Sequence, residues 1–490
     1  MSMKLLQDIL YQVRIKQVTG TTQMAIERIA FDSREVTNFS LFVAIEGTQV
    51  DGHNYIEQSV ESGAIAVVCE KMPEKRNGDV TYIEVDDAQD ALGKMAANFY
   101  NDPSSEIELV GITGTNGKTT CATILYRLFK LLGKKAGLIS TVENRIHNQV
   151  VKATHTTPDA LMLNSLLRDM VDQGCSHCFM EVSSHALHQK RVSGTSFAGA
   201  VFTNITHEHL DYHKTFDDYI GAKKLLFDGL SGDAFALVNL DDKHGATMLQ
   251  NCKAKTQKTF ALKAMADFKA KVIENQFTGL HLHVDGFDLY TKLVGRFNAY
   301  NILTAYATAL LLGREQMEVL TALSNINPVA GRFEYVMSPD GIAAIIDYAH
   351  TPDALKNVLK TVADIRTKNE TVITVVGCGG NRDTTKRPQM ARIACKYSDR
   401  VILTSDNPRF EDPDKIIEDM MTGVEPQDHK KVNQIANRRE AIKMACSIGR
   451  SGDIILIAGK GHETYQEIKG ERQPFDDLAI VKDTFKILNC

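Results

Sequence analysis

The sequence contains no apolar run that approaches the ~20 residues a membrane-spanning helix requires. Its first ten residues alternate between polar and apolar types, so we expect no secretory signal. The formal net charge of −5 offers no general attraction to nucleic acid or to an anionic membrane. Nine scattered cysteines are typical of reduced thiols rather than of a disulfide framework. These absences indicate a cytoplasmic globular protein, which we expect to be a monomer and to bind small molecules.

Cys175 and Cys178 form the single C-x-x-C of the chain. A zinc site of this type needs a second cysteine pair, and none lies nearby in the sequence. We therefore predict that the two cysteines flank a buried strand that begins near His177, with no metal or redox role.

The length of 490 residues is too great for one hydrophobic core. Short apolar runs separated by turns indicate a small α/β domain that ends near the turn cluster at residues 101–105. From residue 106 the pattern changes to a repeated alternation of apolar strand and helix. We predict an α/β protein of three domains, comprising residues 1–105, 106–331 and 332–490.

The second and third domains contain apolar runs with the length of buried strands. The predicted strands are residues 109–113, 178–182, 200–203, 236–239, 343–346, 372–376, 401–404 and 454–457. Residues 298–312 form a strongly apolar predicted helix. Such alternation favours mostly parallel sheets with helices on both faces.

Polar residues follow every predicted strand of the third domain, at 347–350, 377–382, 406–409 and 459–463. Because ligands of open parallel sheets bind at the carboxyl ends of the strands, these segments predict a binding site. The glycine cluster at 377–382 has Arg382 at the third glycine position of a dinucleotide fingerprint. This departure excludes a nicotinamide enzyme.

Seven residues between a predicted strand and a predicted helix have the composition of a phosphate-binding loop. They are Gly114, Thr115, Asn116, Gly117, Lys118, Thr119 and Thr120. The apolar residues that follow, Ile124, Leu125, Leu128 and Leu131, have the spacing of one helix face. Backbone N–H groups of such a turn suit a phosphate, although Ile112 replaces the first glycine of the strict motif. We predict a nucleoside triphosphate site in which Lys118 reaches the β- and γ-phosphates and Thr119 binds Mg²⁺.

Further polar residues follow other strands of the second domain. Glu181 ends a predicted strand beside the loop, where a carboxylate can bind Mg²⁺ directly or through water. Histidines and acids crowd residues 206–213, a pattern that by itself also fits a solvated loop. Lys223 lies on a half-apolar helix, where a lysine usually extends along the surface to water.

Four segments, in this order, resemble the Mur ligase family: Gly-Thr-Asn-Gly-Lys-Thr-Thr, Glu-Val-Ser-Ser-His, Thr-Asn-Ile-Thr-His-Glu-His-Leu-Asp and Ala-Lys-Lys-Leu-Leu-Phe. The resemblance extends from residues 32–34 to residues 459–463. It implies a small N-terminal α/β domain that binds a UDP-sugar, a central P-loop parallel sheet with helices on both faces, and a Rossmann-like C-terminal domain that binds an amino acid. It also implies an ATP-dependent ligase that forms an amide bond in peptidoglycan precursor synthesis.

The resemblance implies a two-step reaction that uses ATP and Mg²⁺. ATP phosphorylates the substrate carboxylate, and an incoming amine then attacks the acyl phosphate and expels phosphate. In the family, the lysine that matches Lys223 is carboxylated by carbon dioxide, and the carbamate helps to bind a second Mg²⁺. Desolvation favours the neutral amine that can undergo this reaction. The implied catalytic residues are Lys118, Glu181, His209 and Lys223, and the implied metal ligands are Thr119, Glu181, His209 and Lys223 as the carbamate.

Within the family, the chain most resembles the members that add the third residue to UDP-N-acetylmuramoyl-L-alanyl-D-glutamate. Residues that match contacts to this substrate are Phe31, Ser33, Thr48, Gln49, Val50, His155, Thr156, Thr157, Ser183, Gln189 and Arg191. His155 departs from the family pattern, which has asparagine there. Taken singly, the serines and threonines also fit helix N-caps.

The tetrapeptide at residues 406–409 marks family members that take meso-diaminopimelate. The physical reason is that diaminopimelate carries an extra carboxylate, which an arginine can bind with two hydrogen bonds. The implied diaminopimelate contacts are Arg382, Asp406, Asn407, Pro408, Arg409, Gly459 and Glu463. Further implied ATP contacts are Asn298, Asn301, Arg332, Asp347 and His350.

Other functions fit parts of the sequence. A lysine-adding relative differs mainly at Arg409 and its neighbours, and a folylpolyglutamate synthetase shares the phosphate loop but not the tetrapeptide. A regulatory GTPase needs an Asn-Lys-x-Asp motif, and no Asn-Lys dipeptide occurs in the sequence. We therefore expect the diaminopimelate-adding activity, with the lysine-adding activity as the first alternative.

Overall fold

The computed structural model describes residues 3–47, 50–153, 155–206, 208, 210–367 and 369–488. The chain forms two compact units. Unit 1 comprises Met1–Gly114, Leu125–Thr203 and Asp217–Thr259. Unit 2 comprises Thr115–Ile124, Asn204–Phe216 and Phe260–Cys490. Each unit has its own buried apolar clusters.

The N-terminal part of unit 1 is a small α/β layer. Its elements are β1 (Lys4–Leu5), α1 (Leu6–Ile9), β2 (Ile15–Thr19), β3 (Ala25–Ile26), β4 (Arg28–Ala30), β5 (Ser40–Val43), α2 (Ile56–Glu61), β6 (Ala64–Cys69), β7 (Thr81–Val85) and α3 (Ala88–Phe99). The sheet order is β2-β7-β6-β5-β4, with β4 to β7 parallel and β2 antiparallel to β7. Strands β5 and β6 coincide with short apolar runs of the sequence, as the predicted α/β organisation of this segment requires.

The following segment supplies a larger, mostly parallel sheet. Its elements are β8 (Glu108–Thr113), α4 (Lys118–Leu131), β9 (Ala136–Ile139), β10 (Asn144–Ile146), β11 (Gln149–Val151), α5 (Ala160–Asp172), β12 (His177–Glu181), α6 (Ser184–His188), β13 (Gly199–Phe202), α7 (Leu210–His213), α8 (Phe216–Asp228), β14 (Phe235–Asn239), α9 (Gly245–Leu249) and β15 (Thr256–Ala261). The strand order begins β11-β10-β9-β12-β8-β13-β14-β15. Strand β8 lies between β12 and β13 and is parallel to both. These central strands are buried on both faces, which is why they appear in the sequence as continuous apolar runs.

Unit 2 contains an antiparallel region and a second parallel sheet. The first elements are β16 (Phe268–Gln276), β17 (Gly279–Val284), β18 (Phe287–Thr291), α10 (Arg296–Leu311) and α11 (Gln316–Ser324). The second set is β19 (Glu334–Met337), β20 (Ala343–Asp347), α12 (Pro352–Ile365), β21 (Val372–Cys378), α13 (Lys386–Tyr397), β22 (Arg400–Ser405), α14 (Pro413–Met421), β23 (Val432–Gln434), α15 (Arg438–Ile448), β24 (Ile454–Ala458), β25 (Tyr465–Ile468), β26 (Glu471–Pro474) and α16 (Asp477–Leu488). The order of the six-stranded sheet is β19-β20-β24-β21-β22-β23, and only β19 is antiparallel to its neighbour.

All eight strands predicted in the second and third domains are present, and so is the predicted apolar helix, as α10. Separate apolar clusters cover the two faces of the six-stranded sheet, in agreement with helices on both faces. No helix in the described ranges is long and apolar enough to cross a membrane.

The buried strand predicted beside the cysteine pair is present, with Cys175 before it and Cys178 within it. Strand β12 begins at His177, and Cys175 and Cys178 are both buried free thiols. Burial raises the pKa of each thiol, which disfavours the reactive thiolate. The two side chains therefore pack as small apolar groups.

The prediction that Leu131 lies on the covered face of helix α4 is wrong. Ile124, Leu125 and Leu128 of α4 are fully buried, but Leu131 is 54% exposed. Leu131 is the last residue of the helix, and Gly133 reverses the chain there with a φ of +73°. The apolar period predicts which face is covered, but it does not show how far along the helix the covering surface extends.

Gly93 of α3 approaches the backbone of Ser193 so closely that a side chain at position 93 should destabilise the fold. A Cβ at Gly93 would lie 2.5 Å from the Ser193 carbonyl oxygen. We expect Gly93→Ala to lower the midpoint of urea unfolding, by the equivalent of about 1–3 kcal/mol, because backbone atoms must shift. As a control, a Cβ at Gly221 in α8 meets no described atom within 4 Å. Gly221→Ala should raise the midpoint by up to about 1 kcal/mol, and a rise in both variants would contradict the packing argument.

Candidate active site

The carboxyl ends of three neighbouring strands in unit 1 lie at one edge of the sheet. In the parallel register Glu181 pairs with Ile112, and Phe202 pairs with Thr113. Gly114, the first residue of the predicted phosphate loop, directly follows β8. The register therefore places Glu181 and the start of the phosphate loop at the same edge, as the sequence predicts.

Lys223 points into the protein at this edge. Its side chain is buried, with the residue 1% exposed, and Nζ donates a hydrogen bond to the Gly114 carbonyl oxygen at 2.8 Å. The ammonium group also lies 4.6 Å from the centroid of the Tyr219 ring. The next residue, Lys224, is instead partly exposed and forms an ion pair with Asp228. The interpretation of Lys223 as a surface lysine is therefore wrong, because its side chain is buried. A buried amine is costly without hydrogen-bond acceptors, and the Gly114 carbonyl oxygen supplies one.

Glu181 is also buried, and neighbouring threonines bind it. Its carboxylate accepts hydrogen bonds from Thr141, at 2.8 Å from the backbone N–H and 3.2 Å from the hydroxyl. Thr157 Oγ1 donates to the Glu181 carbonyl oxygen at 2.8 Å and accepts from Ser183 N at 3.0 Å. Ser183 is also the N-cap of α6, as its residue type allows, and its contact with the substrate stays a prediction. The predicted residues 157, 181 and 183 thus form one connected group.

Hydrogen bonds with residues 204–206 fix the first residues of the phosphate loop in unit 2. Thr115 N donates to Asn204 O at 2.7 Å, and Asn116 N donates to Asn204 Oδ1 at 2.9 Å. Thr206 N in turn donates to Thr115 Oγ1 at 3.0 Å. Lys118 Nζ donates to Thr115 O at 2.8 Å, so the lysine side chain folds over its own loop. Asn204 has a positioning role that the sequence pattern alone did not reveal.

Glycine is required at two positions of the loop. Gly114 has a φ of +150° and Gly117 a φ of +88°, values that residues with a side chain rarely adopt. Thr119 and Thr120 follow in the first turn of α4 and are both buried. The turn and the helix N-terminus together have the form expected for binding phosphate.

Two groups that lie far away in the sequence reach this loop. Asn116 Nδ2 donates to Asp353 Oδ2 at 2.9 Å, although 237 positions separate the two residues. Arg332 Nη2 donates to Thr119 Oγ1 at 3.2 Å, and the guanidinium lies 4.6 Å from the Tyr348 ring centroid. Arg332 Nε is buried without a hydrogen-bond partner among the described residues. Arg332 was predicted from the resemblance, whereas Asp353 was not.

Asp347 ends β20 beneath Arg332. Its oxygens accept hydrogen bonds from Phe333 N at 2.7 Å and Ala349 N at 2.8 Å. Burial raises the pKa of Asp347 to about 6, and the positive charge of Arg332 opposes this rise. The carboxylate therefore fixes the turn that carries Arg332 and Phe333, in addition to any contact with a nucleotide.

His350 lies between groups of opposite charge. Its Nδ1 lies 2.9 Å from the Tyr348 carbonyl oxygen, and its Nε2 lies 3.9 Å from Glu208 Oε1. Burial lowers the pKa of His350, and the positive charge of Lys386 lowers it further, whereas Glu208 raises it. The ring is therefore held mainly in its neutral form at pH 7.

The predicted asparagines of α10 form a chain of hydrogen bonds. Cys121 Sγ donates to Asn301 Oδ1 at 3.3 Å, and Asn301 Nδ2 donates to Asn298 Oδ1 at 2.9 Å. Asn298 Nδ2 then donates to Val294 O at 2.7 Å. These contacts tie α10 to the first turns of α4, so the two asparagines support the helix that follows the phosphate loop. A direct contact of either residue with ATP stays a prediction.

A cavity of about 790 Å³ in unit 1 is lined by six of the residues predicted to contact the UDP-sugar substrate. The predicted residues that line it are Phe31, Ser33, Val50, His155, Gln189 and Arg191. Further lining residues that the sequence analysis missed are Tyr55, Gln58, Gln89 and Lys190. They come from separate segments and carry no shared motif, so no sequence signal identified them. The predicted Thr48 and Gln49 lie outside the described residues.

Arg191 is held by its neighbours at the rim of this cavity. Nε and Nη2 donate to Gln189 Oε1 at 3.0 and 2.7 Å, and Nη1 donates to Thr157 O at 3.0 Å. The hydroxyl oxygens of Thr156 and Thr141 lie 3.0 Å apart, which links the predicted Thr156 to the residue that binds Glu181. The guanidinium is therefore oriented by the protein before any substrate carboxylate binds.

In unit 2, the predicted diaminopimelate residues come together at the carboxyl ends of β21, β22 and β24. Asn407 Nδ2 donates to Glu463 Oε2 at 2.9 Å, and Arg409 Nη1 donates to the Gly380 carbonyl oxygen at 2.8 Å. A Cβ at Gly459 would lie 2.7 Å from Asp406 Oδ2, so only glycine allows this approach. Segments that lie more than fifty residues apart in the sequence therefore meet at one edge of this sheet.

The remaining predicted residues border this group. The backbone of Pro408 packs closely on Gly380: a Cβ at Gly380 would lie 2.0 Å from the Pro408 carbonyl oxygen. Arg382 is exposed on the same loop. The hairpin of β25 and β26, which the sequence analysis did not predict, holds the tetrapeptide: Arg409 N donates to Glu467 O at 3.0 Å. The side chains of Arg409 and Glu467 approach within 3.7 Å.

The metal ligands stay a prediction. Among the described residues, no group of three or more histidine, cysteine, aspartate or glutamate side chains has the geometry of a metal site. The predicted ligand His209 lies outside the described residues, so this search does not test the predicted set. Glu181 nonetheless has the chemistry that Mg²⁺ prefers, because it is a buried carboxylate at the phosphate-loop edge.

Three family models match the chain in sequence order. "Mur ligase family, catalytic domain" matches residues 25–100, "Mur ligase middle domain" matches 112–309, and "Mur ligase, glutamate ligase domain" matches 331–461. The matches confirm the predicted three-domain α/β architecture with a large, mostly parallel sheet.

Known proteins are similar to the chain over its full length. A UDP-N-acetylmuramoyl-L-alanyl-D-glutamate–2,6-diaminopimelate ligase of Cytophaga hutchinsonii is 57% identical, and the match covers 99% of each chain. The ligase of the same name from Bacteroides thetaiotaomicron is 52% identical, over 98% of this chain and 100% of the relative. A solved structure of a ligase with this name has a TM-score of 0.71 and 31% identity, and covers 100% of both chains. The chain therefore belongs to the Mur ligase family.

Proposed function

We propose that this protein is an ATP-dependent ligase that joins meso-diaminopimelate to UDP-N-acetylmuramoyl-L-alanyl-D-glutamate. Relatives that carry this activity in their names are 51–57% identical over nearly the whole chain. The observation that carries the ligase chemistry is the buried Lys223, whose amine reaches the first residue of the phosphate loop. The reaction belongs to the synthesis of peptidoglycan precursors, which we place in the cytoplasm because ATP and the UDP-linked precursor are found there.

The chemistry requires activation of a carboxylate. A carboxylate resists attack by an amine because oxide is a very poor leaving group, so ATP first converts it to an acyl phosphate. In this scheme Lys118 and the backbone N–H groups in the first turn of α4 bind and orient the phosphates. Arg332, whose Nε is buried without a hydrogen-bond partner in the described part of the chain, is suited to donate to a phosphate oxygen.

Mg²⁺ is proposed as the metal, with Thr119, Glu181, His209 and Lys223 as its protein ligands, the last as a carbamate. Glu181 supports this assignment because it is a buried carboxylate oriented by Thr141. Lys223 supports it because its amine is desolvated at the loop. When bound, Mg²⁺ supplies positive charge that stabilises the transferring phosphoryl group.

The two substrates are proposed to bind at separate places in the fold. The cavity of about 790 Å³ suits the UDP-sugar, and the oriented guanidinium of Arg191 suits a carboxylate of its dipeptide. The group of Arg382, Asn407, Arg409 and Glu463 suits the distal end of diaminopimelate, which carries an ammonium and a carboxylate. We further propose that the domain boundaries fall near residues 105 and 331 and that the protein acts as a monomer.

The substrate requirement provides the first test. Phosphate release from ATP should require both the UDP-linked dipeptide and an amine, since the acyl phosphate must form and then be attacked. Diaminopimelate should have a kcat/KM at least about tenfold above that of L-lysine, because lysine lacks the carboxylate that Arg409 can bind. A coupled assay with each candidate amine measures both quantities. Equal turnover of the two amines would assign the chain to the lysine-adding activity instead.

Adjacent lysines on α8 provide a matched test of the buried amine. Lys223→Met should lower kcat by at least about 10³-fold, because a group at the phosphate loop is lost. Lys224→Met should change kcat less than about threefold, because Lys224 is partly exposed and pairs with Asp228 on the surface. Steady-state rates at saturating ATP measure the effect. Similar activity in the two variants would remove Lys223 from the mechanism.

Two arginines on β22 and its extension test the amine-substrate site. Arg409→Ala should raise the KM for diaminopimelate at least about tenfold and leave the KM for ATP nearly unchanged, because the distal carboxylate loses its donor. Arg400→Ala is the control, since Arg400 is exposed at the opposite end of the same strand. If Arg409→Ala leaves the KM for diaminopimelate unchanged, the tetrapeptide at 406–409 is only a turn.

A further inference from the structure

A second buried lysine, Lys460, follows β24 in unit 2. The residue is fully buried, with 0% exposure. Its Nζ donates to Tyr465 O at 2.7 Å, to Asn407 Oδ1 at 2.8 Å and to Glu463 Oε2 at 3.3 Å. An ammonium group has three N–H donors, so these three acceptors use its full capacity. Lys460 has no binding or catalytic role in the function proposed above.

The acceptors include residues of the proposed amine-substrate site. Asn407 and Glu463 both bind Lys460, and Asn407 Nδ2 also donates to Glu463 Oε2 at 2.9 Å. Both hydrogen bonds to the Glu463 carboxylate therefore use Oε2, whereas Oε1 accepts none from the described residues. The two donors fix the carboxylate plane and leave Oε1 for a further donor.

Lys460 also favours the ionised form of the Glu463 carboxyl. Burial raises the pKa of the Glu463 carboxyl and the charge of Asp406 raises it further, whereas Lys460 lowers it. Asp406 Oδ1 lies 3.6 Å from Lys460 Nζ, so one buried cation lies between two carboxylates. The other titratable or charged groups that act on Glu463 are Tyr348, Tyr465 and Arg438, and Arg438 is paired with Asp477.

Three cationic and three anionic side chains belong to the predicted amine-substrate site and its immediate neighbours. The cationic side chains are Arg382, Arg409 and Lys460, and the anionic side chains are Asp406, Glu463 and Glu467. A site without net charge suits an amino-acid end that is itself a zwitterion, with one ammonium and one carboxylate. Removal of Lys460 would leave an excess of buried negative charge beside Glu463.

We propose that Lys460 is a positioning residue for the amine substrate: it orients Glu463 and Asn407 so that Glu463 Oε1 receives the distal ammonium of a diamino acid. The inference rests on the proposed function and adds the residue that holds the ammonium-binding carboxylate in place. Lys460 acts through Glu463 and makes no contact with the reacting atoms. The residue therefore affects which amine binds, and ATP binding is independent of it.

The main test is Lys460→Met, which keeps the length of the side chain but removes its charge and donors. The KM for diaminopimelate should rise at least about tenfold, while the KM for ATP and for the UDP-linked dipeptide change less than about twofold. The increase should be larger at about pH 6 than at about pH 8, because without Lys460 the pKa of Glu463 rises and more of the carboxyl is protonated. A structural role alone would not produce this pH dependence.

Two comparisons make the test specific. Lys482→Met, which removes an exposed lysine from α16, should leave all three KM values and their pH dependence unchanged. In a Glu463→Gln background, Lys460→Met should raise the KM for diaminopimelate by less than a third of its effect in the wild-type protein, because Lys460 acts through that carboxylate. Equal effects in the two backgrounds would overturn the proposal.

The outcomes separate this inference from the proposed function. If the wild-type protein fails to use diaminopimelate, the proposed function is wrong. If the wild-type protein uses it and Lys460→Met retains the wild-type KM and pH dependence, only the role of Lys460 is wrong. Should Lys460→Met fail to fold, as judged by circular dichroism, Lys460→Gln is measured by the same readouts and the same criteria apply.

Discussion

The parallel pairing of β8 with both β12 and β13 determines the geometry at the start of the phosphate loop. In this register Glu181 lies opposite Ile112 and Phe202 lies opposite Thr113, so the chain leaves three neighbouring strands at the same edge. Parallel strands all carry their carboxyl ends to one side, which concentrates polar groups at that edge of the sheet. Lys223 reaches this edge from α8 by donating to the Gly114 carbonyl oxygen. A shift of one residue in β12 would turn the Glu181 side chain to the other face of the sheet.

Two lysines are fully or nearly fully buried: Lys223 lies on helix α8, and Lys460 follows strand β24. Lys223 donates to a carbonyl of the phosphate loop, and Lys460 donates to Tyr465 O and to the side chains of Asn407 and Glu463. Burial of an ammonium is costly unless its donors are satisfied, so both positions depend on the surrounding backbone. Glycines lie close to both lysines in the chain or in space: Gly114 and Gly459 have φ values of +150° and +121°, and a Cβ at Gly459 would lie 2.7 Å from Asp406 Oδ2.

The sequence predicted the strands and the phosphate loop because each is encoded locally. Continuous apolar runs mark strands buried on both faces, and the Gly-Lys-Thr turn marks the loop. The positions of Lys223 and Arg409 were predicted from the family resemblance, since their local patterns also fit a surface lysine and a turn. Contacts such as Asn116 with Asp353, 237 positions apart, have no local signal. The hairpin at 465–474 was missed for the same reason, because its role depends on pairing with Arg409 rather than on its own pattern.

The central claim is that the desolvated amine of Lys223 serves the phosphate-loop edge as a carbamate. The most direct measurement is ¹³C nuclear magnetic resonance of the protein equilibrated with ¹³C-labelled bicarbonate. The account predicts one carbamate signal that is present in the wild-type protein and in Lys224→Met and absent from Lys223→Met. The absence of a signal from the wild-type protein, or a signal that survives Lys223→Met, would contradict it.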